Sequence, residues 1–258
     1  MNIPYDSWSS SIYTAPNSIW LFSSGWLSKE NMFRLVCYNF DNKTEPKYFF
    51  KTDYKKAKYQ AYGGINCFDR IGDTISFHMP LDNYIYYINK GKAVKPKFYI
   101  NYGKNGIPDR FLDGDFYDVM DFHSKLNERK YLHHKGKIFE TQNHIIVESH
   151  RGKDSFYLIY CKKSQNVKLV KSFFPNFVGV ANPEKLEFRP SIIGCENNYI
   201  YIQIEPELFA QWYKIELLDS KENNFQVSNT GFSNIKFLLE RTSKMDNPFI
   251  MKCELKLF

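Results

Sequence analysis

Four times along this 258-residue chain a cluster of short strand-forming segments recurs, and the second segment of each cluster begins near residue 17, 73, 143 or 197. Each of these segments sets a polar turn residue ahead of an apolar, Ile-containing run: 17–23 (NSIWLFS), 73–77 (DTISF), 143–149 (NHIIVES) and 197–204 (NNYIYIQI). The clearest cluster lies between 64 and 102. Residues 65–68 form a short apolar run, 73–77 alternate with period two, and 84–88 and 94–102 follow as further strands. Turn-forming residues separate them, at 71–73 (IGD), 81–83 (LDN) and 90–91 (KG). Four consecutive strands with tight turns make one antiparallel meander. The same layout is read at 10–14, 17–23, 32–40 and 47–51, then at 136–140, 143–149, 155–161 and 167–174, and with fewer strands at 190–194, 197–204 and 247–258.

A sandwich with Greek-key connections would not reset every 54 to 70 residues, whereas a β-propeller does. The expectation is therefore an all-β fold, a single β-propeller domain over 1–258. About four blades are read, at approximately 8–52, 62–104, 131–175 and 187–258. Composition agrees, because 18% of the residues are aromatic and large rings fill the space between splayed sheets. The last unit is interrupted. Pro206 suits a first helical turn, Leu208, Trp212 and Ile215 follow at helical spacing, and Ile235, Leu238 and Leu239 share a face, so short helical insertions are expected at 205–218 and 234–244.

The net charge of +7 is spread along the chain. Its densest run, Lys51, Lys55, Lys56 and Lys58 among Asp53, Tyr54 and Tyr59, reads as a solvated loop, and no nucleic-acid partner is expected. The five cysteines, at 37, 67, 161, 195 and 253, contain no CxxC pair, which argues against a disulfide framework or zinc and for structural thiols in the core. No run approaches the roughly 18 apolar residues of a membrane span. Residues 1–11 lack the features of a signal peptide.

Candidate chemistry is sparse. His133 and His134 are adjacent and point to opposite faces of a strand. His144 and His150 would share a strand face but lie about 20 Å apart, so these histidines read as solvent-facing or turn residues and no metal is expected. The acidic stretch with Asp109, Asp113, Asp115, Asp118 and Asp121 begins like a calcium loop, fails its register, and reads as a rim connection that caps a short helix. Glu140, Glu148 and Glu205 lie near strand ends with no assignable pairing, and no GxSxG, P-loop or GxGxxG element occurs, so no cofactor is expected.

The order DTISF (73–77), NYIYYI (83–88), KPKFYINYG (95–103) with Gly106, Ile107 and Pro108, and the closing NPFIMKCELKLF (247–258), resembles a six-bladed, NHL-like β-propeller family of gut bacterial lipoproteins. The resemblance runs from about 17 to 258. It implies an exported, lipid-anchored propeller without an established common activity. Against a six-bladed ring, four blades with three strands in the last imply that two N-terminal blades and a leader are missing, and that open blade edges favour self-association. The functional expectation is a non-catalytic binding or scaffold module, its ligand a carbohydrate or a peptide held at the rim by aromatics of connecting segments. Trp26, Tyr62, Phe116, Tyr117 and Trp212 are the residues named for that role. The alternative is a propeller hydrolase or lyase acting on a glycan, which would need two carboxylates converging in one pocket.

Overall fold

The structure, a computed structural model, describes residues 11–23, 27, 32–40, 45–53, 56, 59, 67–72, 74–89, 93–171, 191–206 and 248–255. Fifteen strands in these segments form four antiparallel sheets, with few helices between them. The first sheet runs β1 (Ser11–Ala15), β2 (Ser18–Phe22), β3 (Phe33–Asn39), β4 (Lys47–Lys51). The second runs β5 (Phe68–Ile71), β6 (Thr74–His78), β7 (Tyr84–Asn89), β8 (Ala93–Tyr99). β9 (Leu132–Glu140), β10 (His144–Arg151), β11 (Asp154–Cys161) and β12 (Val167–Val170) form the third. The fourth has three strands among the described residues, β13 (Ser191–Glu196), β14 (Tyr199–Ile204) and β15 (Phe249–Glu254).

In all four sheets, strands pair in chain order. Tight hairpins explain this: Ala15 pairs with Ser18 and Ile71 with Thr74, leaving two-residue turns. Gly72 (φ 57°) and Asn197 (φ 55°) supply the left-handed backbone that such turns require.

The chain divides into two compact units, one of Met1–Glu140 with Ile145–Tyr160, the other of Thr141–His144 with Cys161–Phe258. Within the first, alternation gives the second sheet two apolar faces. Phe68, Ile75, Phe77 and Ile88 meet Trp20, Phe22, Leu35 and Cys37 of the first sheet, with Phe22 edge-on to Phe77 at 5.5 Å. On the opposite face, Ile85 packs with Ile138, Ile145 and Val147 of the third sheet. β1 runs beside β5, and β5 beside β9. In the second unit, Ile200, Ile202 and Ile204 put one face of β14 in the core.

β9 begins at Leu132, four residues before the strand expected at 136–140. Gly136 reads as a strand start, but it lies inside an irregularity where three residues of β9 oppose one of β10. Its φ of 90° suits glycine, and imidazoles hold it: His78 Nε2 donates to its carbonyl (2.8 Å) and its N–H donates to His134 Nδ1 (3.2 Å). The histidines are thus not solvent-facing. His78, His133, His134 and His144 are buried.

Two helices lie between the second and third sheets, α1 (Asp109–Leu112) and α2 (Val119–Arg129). Asp118 caps α2 by accepting the Asp121 N–H at 2.8 Å, so that part of the acidic stretch serves a helix terminus. The helical insertions expected in the last unit fall almost wholly outside the described residues.

Candidate functional site

The loop 79–83 that joins β6 to β7 has a backbone few sequences would choose. Leu81 sits at φ 62°, in a region costly for a branched side chain. His134 holds the loop there: its carbonyl accepts the Leu81 N–H (3.2 Å), and its Nε2 donates to the Asp82 carbonyl (2.8 Å). Since Nδ1 already accepts from Gly136, the imidazole is neutral, and burial pushes its pKa down to about 4. The Asp82 carboxylate is fixed in turn by the Tyr84 N–H (3.0 Å) and the Tyr86 hydroxyl (2.7 Å). Its burial raises its pKa, and those two donors oppose the rise.

Beside this loop is a cleft of about 590 Å³. β4 and the residues after it supply Lys51 and Asp53, β3 supplies Arg34, and the β6–β7 loop supplies Asp82. Tyr84 and Tyr99, register partners on β7 and β8, form an aromatic pair with centroids 4.9 Å apart. They remain 42% and 56% exposed, unlike the ring clusters that fill the sheet interfaces. Arg34 is buried, with Nη1 donating to the Ser23 carbonyl at 3.0 Å. The second strained residue, Phe50 (φ 58°), immediately precedes Lys51. Strain on two sides of one cleft marks the place where backbone geometry is held by its surroundings. The lining carries three basic groups, Arg34, Lys51 and Lys56, and three acidic ones, Asp53, Asp82 and Asp109. Lys56 also pairs with Asp113.

Of the aromatics named from sequence, Trp26, Tyr62 and Trp212 lie outside the described residues. Phe116 is packed among Tyr59, Phe111 and Phe122, with ring centroids 4.8 to 5.2 Å away. Tyr117 is 92% exposed. Neither lines the cleft or a second hollow of about 740 Å³ beside the end of α2. The cleft tyrosines escaped sequence reading because they lie in strands, where exposure depends on register. The one local signal was the Asp82–Asn83 turn directly before Tyr84.

The carboxylates have other partners. Glu148 bridges Lys137 (3.3 Å) and His150 (3.4 Å), and Glu205 accepts from Gln203 (2.7 Å). Glu140 receives the Tyr87 hydroxyl and lies near Asp69. This last pair does converge, but it lines neither cavity. His133 stacks on His150 with centroids 5.7 Å apart. Among the described residues no group of three or more His, Cys, Asp or Glu side chains is placed to hold a metal ion, and no helix is long and apolar enough to cross a membrane.

Sequential four-stranded meanders carrying an aromatic, charge-balanced cleft define a mostly-β protein with a surface site. The chain belongs to the family described as a domain of unknown function, DUF4934, whose profile matches residues 1–254. It is also similar to a crystal structure of a "Putative exported protein" from Bacteroides fragilis, with a TM-score of 0.62 and 14% identity over 97% of this chain. The chain spans 66% of that protein, less than two thirds of its length. At this identity the likeness concerns the fold. No curated protein matches the chain.

Proposed function

We propose that this chain is a non-catalytic binding module of the β-propeller type that holds a neutral carbohydrate in the Tyr84–Tyr99 cleft. Three observations support the propeller arrangement: the repeated meander, the first strands β1, β5 and β9 running side by side, and the second sheet packed between the first and third. An NHL-like lipoprotein of the cell exterior fits both the sequence resemblance and the exported neighbour.

The exposed tyrosine pair carries the ligand reading. A pyranose ring offers an apolar C–H face that stacks on an aromatic ring, while its hydroxyls both donate and accept. Asp53, Asp82 and Asp109 accept and Arg34, Lys51 and Lys56 donate, and their charges balance, so an uncharged polyhydroxylated ligand suits the lining better than an ion. A glycan hydrolase or lyase is the less favoured reading, since the converging carboxylates Asp69 and Glu140 line neither cavity.

Calorimetric titration with a panel of neutral oligosaccharides tests the reading. Tyr84→Ala and Tyr99→Ala should each weaken binding about tenfold, the scale of one aromatic contact, while the Phe replacements retain most of it. Unchanged affinity in both alanine variants, or no binding across the panel, overturns it.

A further inference from the structure

Asp69 on β5 and Glu140 at the end of β9 meet at the joint between the second and third sheets. The Asp69 carboxylate accepts the Glu140 backbone N–H, and Glu140 Oε1 accepts the Tyr87 hydroxyl. Asp69 Oδ2 is out of solvent and has no hydrogen-bond partner among the described residues, while Glu140 is only 2% exposed. On its own sheet the neighbours of Asp69 are neutral: Ser76, its buried register partner, Tyr87 beyond it on β7, and the Cys67 thiol two residues before it. Next in that row is Lys95, which is exposed, and Lys97 Nζ lies 6.0 Å from the Tyr87 ring. Arg70 turns to the Gly72 carbonyl instead (2.9 Å), and no cation among the described residues forms an ion pair with Asp69. Two ionised carboxylates sharing such a site repel each other without solvent to screen them.

We propose that Asp69 keeps its proton in the fold and acts as a proton-operated latch between the second and third sheets, closed while its carboxyl is protonated and loosened when it ionises. In the closed state the protonated oxygen of Asp69 is a neutral hydroxyl, and the joint is held by the Glu140 N–H that the Asp69 carboxyl accepts. Burial first, and the Glu140 charge second, push the Asp69 pKa from 3.8 up to about 7. A raised folded pKa stabilises the fold fully below the unfolded value. From about pH 4 to about pH 7 unfolding then releases a proton, so this group lowers the folding constant about tenfold per pH unit, with no further loss above.

Urea unfolding of the wild type and Asp69→Asn between pH 4 and pH 9 tests the latch, since the amide mimics the protonated acid. The expected result is a variant-to-wild-type ratio of folding constants that climbs about tenfold per pH unit and levels off near neutrality. A ratio independent of pH overturns the proposal. Should the variant fail to fold, infrared titration of the wild type decides: a protonated-carboxyl band that bleaches near neutral pH supports the latch, and its absence at pH 5 to 6 overturns it. Calcium or magnesium at pH 8 provides a third arm. If either raises wild-type stability to its acidic level, the pair binds a cation rather than a proton and the latch is refuted.

Discussion

Lys130 ends α2 in the left-handed region, at φ 53° and ψ 36°, with its N–H donated to the Asn127 carbonyl. Its side chain is exposed, so nothing in the core compensates for the backbone strain. Lys130→Gly should therefore stabilise the protein, by roughly 0.5 to 1 kcal/mol, as the relief of left-handed strain exceeds glycine's entropic cost. The melting temperature of the variant checks this. Leu81 and Phe50 share the same backbone region for a different reason. Leu81 packs against the Tyr59, Phe122 and Leu126 cluster, and Phe50 stacks on Phe77 at 5.6 Å, so glycine there would remove packing along with strain. Their strain is held by that packing; Leu81 lines the cleft, and Phe50 immediately precedes Lys51, which also lines it.

Among the elements, α2 takes Asp118 as its side-chain N-cap. Asp118→Ala removes the acceptor from the Asp121 N–H and should cost about 1 kcal/mol, read as a lower urea midpoint with an unchanged slope. The cap was legible because Asp ahead of an amphipathic run is a local signal, and the strands were legible for a related reason. Two-residue alternation and turn chemistry act over a few residues, and the observed β2, β3, β4 and β6 lie within a residue or two of the segments read from sequence. Features that depend on pairing were not legible. The early start of β9 follows from the irregularity at Gly136, to which His78, distant in sequence, bonds along with the neighbouring His134. Tyr84 becomes a cleft residue through its register with Tyr99, and Asp69 becomes an acid partner only when β5 meets β9. Even the histidines, polar by type, are buried by the sheets that surround them.

For the whole molecule, these buried groups set an opposition between two titrations. His133 and His134 are held neutral by burial, with pKa values lowered from 6.5 to about 4. A depressed folded pKa stabilises above the unfolded value, so each imidazole takes up a proton on unfolding between pH 6.5 and pH 4, and stability falls as the pH falls. Asp69 works the other way across nearly the same window, releasing one proton on unfolding. From these three groups the wild type should show a net uptake of one proton, two gained less one released. His133→Asn keeps a donor for the Tyr131 carbonyl, which His133 Nδ1 reaches at 3.0 Å, but removes a titrating ring. It should flatten the acid limb by one proton, about 1.4 kcal/mol per pH unit. Asp69→Asn should steepen that limb by the same amount. The slopes of unfolding free energy against pH, compared across the three proteins, check both changes. Parallel slopes for the wild type and His133→Asn would mean that His133 is charged in the fold, contrary to its 2% exposure and to the burial of its Nε2.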